Sequence, residues 1–309
     1  MVDIPDGLVE AQRECNGARG REFLDALPGL AARFLERWEL RRTGPAMHGM
    51  TALVLPVRRA DGSAAVLKLV LPDEENAGEA LALRAWDGHG CVRLLEHDGG
   101  SGALLLERLD EGRPLSALAE AEGDARGAVR VVAALLGRLT RVPAPVGLRG
   151  LGEIAAGLAA EAPGAVAGLA DAGERGLLRD CAAALAEVAG EPGDRLLHWD
   201  LHFDNVLGAG VRTGAGGARG VRGEWVAIDP KPLSGDPGFE LLPAIVNRFR
   251  ADEVLWRFDL LAGELGLDRE RARAWTLGRV VQNAVWDVAD GESALGEEQA
   301  EVARLLLGR

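Results

Sequence analysis

Eight consecutive residues constrain this chain more than any other stretch: His198-Trp199-Asp200-Leu201-His202-Phe203-Asp204-Asn205. After a glycine-rich interruption comes Trp225-Val226-Ala227-Ile228-Asp229. An Asp, an Asn five positions later and a second Asp at the end of an apolar strand are three oxygen-bearing side chains in an order that serves phosphoryl transfer. Asp200 can accept or orient a hydroxyl proton. Asn205 and Asp229 can hold a hard cation that wants oxygen ligands, and magnesium needs few protein ligands beside phosphate and water. The segment around them, 195–229, therefore reads as strand, loop and strand.

The rest of the pattern surrounds that segment. Residues 6–40 alternate short helical pieces, with Phe23, Leu27, Leu30, Phe34 and Leu35 at helical spacing. Residues 51–57, the turn Asp61-Gly62 and residues 64–70 read as a β-hairpin, ended by Pro72. Residues 74–86 are strongly helix-forming despite Gly78. Strands are expected at 91–97 and 103–107, separated by Asp98-Gly99-Gly100. From about residue 113 the chain is mostly Ala/Leu-rich helix.

Lys68 sits inside an apolar strand, on the face of Val66 and Val70, because strand side chains alternate. A charge facing a lobe interior is costly unless paired. Glu79, Leu83 and Trp86 fall at i, i+4 and i+7 of the next helix, so Glu79 shares a stripe with two apolar anchors and is the natural partner. A Lys on a strand paired with a Glu on the following helix is a way to place an ammonium against nucleotide phosphates. The strand at 104–107 then runs into a turn at 110–114 that breaks the lobe. Backbone groups from Glu107 to Leu109 are expected to meet adenine there.

Composition narrows the partners. With 309 residues, 48% of them hydrophobic, the chain can bury a core in two packed lobes. A net charge of −13 argues against nucleic acid or an anionic membrane and suits a cationic ligand. Cys15, Cys91 and Cys181 are odd in number and scattered, which fits a reducing compartment. The acidic start has no apolar core of the signal-peptide kind, and no run reaches the ~20 apolar residues of a membrane span, so a cytoplasmic location is expected.

Two other chemistries compete. His198-x-Asp200-x-His202 places three potential ligands at alternate positions, which on a strand could share one face and hold zinc. The remaining histidines, His48, His89 and His97, lie far upstream, and this reading leaves Lys68, Glu79 and Asp229 without roles. The glycine-rich stretch 208–223 lacks the Gly-Lys-Ser/Thr ending of a phosphate-cradling loop and reads as a flexible connection.

At this point the residues resemble the aminoglycoside phosphotransferases, and within them the streptomycin 6-kinases of the aminoglycoside/hydroxyurea resistance kinase group. The resemblance is carried by LPGLAARFLERWELRR, GLRGLGEI, EPGDRLLHWDLHFDNVL, WVAIDPKPLSGDPGFELLPA, RFDLL and GRVVQNAVWDVADG. It implies an α+β, protein-kinase-like two-lobed fold. Residues 1–109 would form a small lobe with an antiparallel sheet, and 110–309 a larger, mostly helical lobe. It also implies ATP as donor, Mg2+, Asp200 as base, Asn205 and Asp229 as metal ligands, and Lys68 on the phosphates. The expected acceptor is a streptomycin-type hydroxyl, at the 6 position, and the expected state a monomer. Another acceptor (an amino sugar, hydroxyurea, a different antibiotic) and a non-catalytic nucleotide-binding module remain the alternatives.

Departures are local. Trp199 stands where many relatives have Gly, Asp229 is followed by Pro230, and no Gly-x-Gly-x-x-Gly nucleotide loop exists, leaving Gly44 and Gly49 as candidates for a short cover. A cationic acceptor calls for carboxylates. Gln282, Trp286 and Asp290 fall at i, i+4 and i+8 of a C-terminal helix, with Asp287 and Asn283 beside them, and His202 is a further expected acceptor-site residue. The helix either lines the acceptor cleft on this face or packs Trp286 inward with its acids in solvent. Asp236 and Glu240 are expected to brace the catalytic loop.

Overall fold

The computed structural model describes residues 2–121, 125–210 and 224–309. Most of the glycine-rich segment, 211–223, lies outside these residues. Helix α1 (Asp6–Arg37) opens the chain and is broken at Gly17, whose φ of 52° is not helical. Six antiparallel strands follow: β1 (Arg41–Arg42), β2 (Met47–His48), β3 (Ala52–Arg58), β4 (Ala64–Val70), β5 (Leu94–Asp98) and β6 (Ala103–Glu107). They are ordered β1-β3-β4-β6-β5, with β2 also on β3. The β3–β4 hairpin forms as its alternation predicts, and Gly62 takes the positive φ of 83° at its tip.

Alternation sorts the two faces of this sheet. Ala65, Leu67 and Leu69 join Leu53, Leu55 and Val57 against Phe23, Leu24, Leu27 and Phe34 of α1. Lys68 must therefore face the other way. Between β4 and β5 lies helix α2 (Glu79–Trp86). It starts later than residue 74 because the Asp73 carboxylate accepts from the backbone N–H groups of Glu75 and Asn76, closing a turn that competes with helix. Likewise β5 starts only at Leu94: Val92 N–H instead donates to Ala227 O at 2.8 Å, tying this segment to the large lobe.

After β6 come β7 (Asp110–Pro114), α3 (Leu115–Ala121), α4 (Arg126–Leu139), β8 (Arg149–Gly150), α5 (Leu151–Gly168) and α6 (Ala172–Val188). Next come β9 (Arg195–Leu197), β10 (Val206–Gly208), β11 (Trp225–Ala227) and β12 (Leu233–Gly235), then α7 (Leu241–Val246), α8 (Val254–Leu265), α9 (Arg269–Ala289) and α10 (Glu297–Leu307). Small sheets β11-β10-β7 and β8-β12-β9 sit on the helical core and hold the segments of chemical interest. The stretch 110–114, expected as a turn, is thus an edge strand, the one place where its Gly112 and Pro114 fit a ladder. A continuous buried cluster runs from Leu83, Trp86 and Leu104 of the small lobe into the helices of the large one. All three cysteines are free, and among the described residues no helix is long and apolar enough to cross a membrane.

Candidate active site

Strand β4 carries Lys68 into the space between the lobes, and α2 answers with its first residue. The Lys68 ammonium donates to both Glu79 oxygens at 2.7 and 2.8 Å. Glu79, Leu83 and Trp86 are all buried, as one helical stripe requires. Gly78, just before α2, lets the lobes approach closely: a Cβ there would lie 2.5 Å from Leu148 Cδ2.

The catalytic-loop candidate leaves β9 at His198 and returns through a short 3-10 turn at Phe203–Asn205. Leu201 and Phe203 are fully buried and anchor it. The buried Glu240 carboxylate accepts the backbone N–H groups of both His198 and Trp199. It braces the loop, whereas Asp236 caps the 3-10 turn after it and pairs with Arg271 of α9 at 2.7 Å. Burial pushes Glu240 up to about 7, against the lowering effect of those two N–H groups. His198 is fully buried, donates through Nε2 to Ile228 O at 3.0 Å, and burial pushes it down to about 4.

Pairing of β10 with β11 sets Val206 opposite Ala227, and Ile228 N–H donates to Asn205 O at 2.9 Å. Asp229 is thereby delivered beside Asn205. The Asn205 side-chain amide donates to Asp200 O at 2.9 Å, and Asp229 lies 2.5 Å from Lys68 Nζ. The Lys68 charge beside Asp229 holds that carboxyl below its usual range, ahead of the raising effect of burial. Two carboxylates on one ammonium leave a negative charge in excess, and Glu79 takes the consequence: burial, with Asp229 adding to it, drives it up to about 7 despite Lys68. For Lys68, burial works downward, but Asp229 and Glu79 outweigh it and keep the ammonium charged. Asp229 and Trp199 both hold positive φ, 57° and 67°, a conformation costly for residues with a Cβ.

Asp200 is partly exposed and lines a cavity of about 350 Å³ with His202, Asp204, Asn247, Arg279 and Asn283. Its carboxylate pairs with Lys231 at 3.3 Å, a residue that sequence reasoning missed. Arg279 was also missed. It is buried, donates to Trp199 O at 3.1 Å, stacks 4.9 Å from the Trp199 ring, and burial lowers it to about 10. The only local hint of Lys231 is its position two residues past Asp229.

Other expected residues fall as follows. The Glu107 carboxylate accepts the Arg93 N–H at 2.7 Å, and Leu109 is buried between the lobes' cores. His202 lies on the cavity, its Nδ1 3.5 Å from Asp204. On α9 the residues that reach the cavity are Arg279 and Asn283. Gln282 is 3% exposed, with its oxygen unpartnered in the interior. Trp286 is exposed and meets the Trp199 ring edge-on at 6.2 Å. Asp290 caps the exposed end of α9, and burial, then Glu292 and Asp290, raise Asp287. The alternating His198-x-Asp200-x-His202 set does not lie on a strand, since His198 turns inward. Among the described residues no group of three His, Cys, Asp or Glu side chains is placed to hold a metal ion.

A Lys–Glu pair on a strand and helix, with a braced loop bearing Asp and Asn and a second Asp on the next strand, defines a phosphotransferase of protein-kinase-like fold. The chain belongs to the aminoglycoside/hydroxyurea antibiotic resistance kinase family, whose model matches residues 37–291. A hydroxyurea phosphotransferase of Kitasatospora aureofaciens is 70% identical over 309 residues, covering 100% of this chain and 87% of its own length. A streptomycin 6-kinase of Streptomyces glaucescens is 48% identical over 318 residues, covering 100% of this chain and 98% of that protein. In fold, a solved macrolide 2'-phosphotransferase of Brachybacterium faecium matches with a TM-score of 0.55 at 18% identity, over 90% of this chain and 98% of that one.

Proposed function

We propose that this chain transfers the γ-phosphoryl group of ATP to a hydroxyl of a small polar acceptor, hydroxyurea in the first instance. The observation that carries the reading is that Asp200 opens onto a cavity from the same loop that sets Asn205 beside Asp229 and Lys68. Asp200 receives the hydroxyl proton as the acceptor oxygen bonds to phosphorus and ADP departs. Lys68, aimed by Glu79, meets the nucleotide phosphates, and backbone groups from Glu107 to Leu109 meet adenine.

The donor set fits magnesium. Asp229 is kept ionised by Lys68, and Asn205 commits its Nδ2 to Asp200 O, which leaves Oδ1 for a cation. Bound there, magnesium would neutralise charge that develops on the phosphates.

Hydroxyurea is favoured by the 70% identity over the whole chain. Streptomycin is the second reading, supported by the 48% identical relative and by the net charge of −13. The larger sugar would spread from the cavity along α9 toward Trp286, Asp287 and Asp290. The reading takes residues 1–109 and 110–309 as the two lobes, supported by β6 ending in one sheet and β7 pairing with β10 in another. The reading also takes the protein as a cytoplasmic monomer with no nucleic-acid partner.

A coupled ADP-release assay with magnesium-ATP and each acceptor tests it. Turnover with hydroxyurea but not streptomycin supports the first reading, and the reverse supports the second. No turnover with hydroxyurea, streptomycin or a panel of amino sugars overturns both. An Asp200→Asn variant within about tenfold of wild type would place the base elsewhere.

A further inference from the structure

Glu75 lies in the turn before α2, on the small lobe, whereas Asp200 and Lys231 belong to the large lobe. The half-buried Lys231 ammonium sits 3.4 Å from Glu75 and 3.3 Å from Asp200. Its backbone is fixed to the catalytic loop, because Lys231 N–H donates to His198 O at 3.0 Å. The turn bearing Glu75 is seated on the large lobe at the same place: a Cβ on Gly78 would meet Leu148 at 2.5 Å and Pro232 at 3.1 Å. Asp200 is otherwise held through its backbone carbonyl, which accepts from Asn205. Among the described residues, Lys231 is the one cation within ion-pair distance of the Asp200 carboxylate.

We propose that Lys231 is a positioning residue that aims the Asp200 carboxylate and, by sharing itself with Glu75, makes that aim depend on closure of the two lobes. This rests on the reading of Asp200 as base. A carboxylate on a single rotatable stem needs a second contact to point at one hydroxyl, and misplacement by an ångström is costly to rate. The bridge uses neither Lys68 nor Asp229, so it does not compete with the nucleotide-binding set. Being partly exposed, it contributes little to folding stability, which separates its effect on turnover from any effect on the fold.

The test compares Lys231→Met, Lys231→Arg, Glu75→Gln and the Glu75→Gln/Lys231→Met double variant, using whichever acceptor turns over, with ADP affinity by calorimetry and thermal midpoints alongside. Lys231→Met is expected to lower kcat by about 30-fold, with the KM for ATP and the ADP affinity within about twofold. Lys231→Arg, which keeps the cation, should return to within about fivefold of wild type. Glu75→Gln should lower kcat by about fivefold alone and by nothing further in the Lys231→Met background. Lys231→Met within about threefold of wild type, while Asp200→Asn is inactive, overturns the proposal and leaves Asp200 as base. An active Asp200→Asn overturns the base reading itself. A fallen thermal midpoint with no recovery by Lys231→Arg assigns Lys231 a structural role and also overturns the proposal. If Lys231→Met does not fold, Lys231→Arg and Glu75→Gln still decide: additive, acceptor-independent losses of ADP affinity would refute an effect through Asp200.

Discussion

Lys68 of the small lobe and Asp229 of the large lobe meet at 2.5 Å, while Glu79 occupies the same ammonium at 2.7 and 2.8 Å. Removing the ammonium leaves Glu79, 2% exposed, without its counter-charge. Breaking a buried pair from one side typically costs about 3–5 kcal/mol. Because Glu79 already titrates near 7, it can take a proton instead when the pH is low. Lys68→Met should therefore lose about 3 kcal/mol at pH 8, a smaller amount at pH 6, and regain most of it in Lys68→Met/Glu79→Met. Urea unfolding at the two pH values measures this. A loss that neither varies with pH nor recovers in the double variant would show that Glu79 does not depend on Lys68.

The same contact lets the proposed metal and nucleotide roles be tested apart. Asp229→Asn removes a charge from the proposed magnesium site and also releases Lys68 from one of its two carboxylates. The magnesium concentration for half-maximal activity should rise by about tenfold or more. Metal-free ADP should bind as tightly as to wild type or tighter, since Lys68 is freer to meet phosphate. Calorimetry with and without magnesium reads both, and weaker ADP binding in the absence of metal would contradict the assignment.

What could be read from sequence follows the range of the interactions. Lys68 and Glu79 were legible because strand alternation and the i, i+4, i+7 stripe are local, and each rule points one side chain at the other. Asp200, Asn205 and Asp229 were legible as a spacing. Lys231 was not, because Glu75, Asp200 and Lys231 meet only once two lobes close on each other. On α9 the helical spacing alone does not say which face meets the cavity: Gln282 is buried, while Asn283 and, four residues before it, Arg279 line it. Residues 110–114 looked like a turn because Gly112 and Pro114 break strands, and only the distant partner β10 makes an edge strand of them.

Trp199 sets strain against burial. Its φ of 67° costs about 1–2 kcal/mol for a residue with a Cβ, and glycine would remove that cost. Its ring, however, is 2% exposed and lies 4.9 and 5.1 Å from the guanidinium carbons of Arg279 and Arg149. Deleting a buried Trp side chain costs about 3–5 kcal/mol, so burial wins. Trp199→Gly should be less stable by about 1–4 kcal/mol, the difference of the two effects. Equal or greater stability of the variant in urea would mean that the ring contributes nothing beyond its strain.

His198 and Glu240 should oppose each other in the pH dependence of stability. His198 is held at about 4 against an ordinary 6.5, so the unfolded chain binds its proton first and stability falls as pH drops from 6.5 toward 4. Glu240 is held at about 7 against 4.5, so the folded protein keeps its proton longer, and that contribution is lost as pH rises from 4.5 to 7. Where the windows overlap, the two slopes have opposite sign and similar size, about 1.4 kcal/mol per pH unit each. Glu240→Gln should uncover the histidine slope, losing about 2–3 kcal/mol relative to wild type as pH falls from 6.5 to 4.5. His198→Gln should show the reverse, gaining about as much over the same interval. Other titrating groups are common to all three proteins and cancel in the differences. Denaturant unfolding at pH 4.5, 5.5 and 6.5 makes the comparison, and three parallel curves would mean that neither buried group changes its protonation on unfolding.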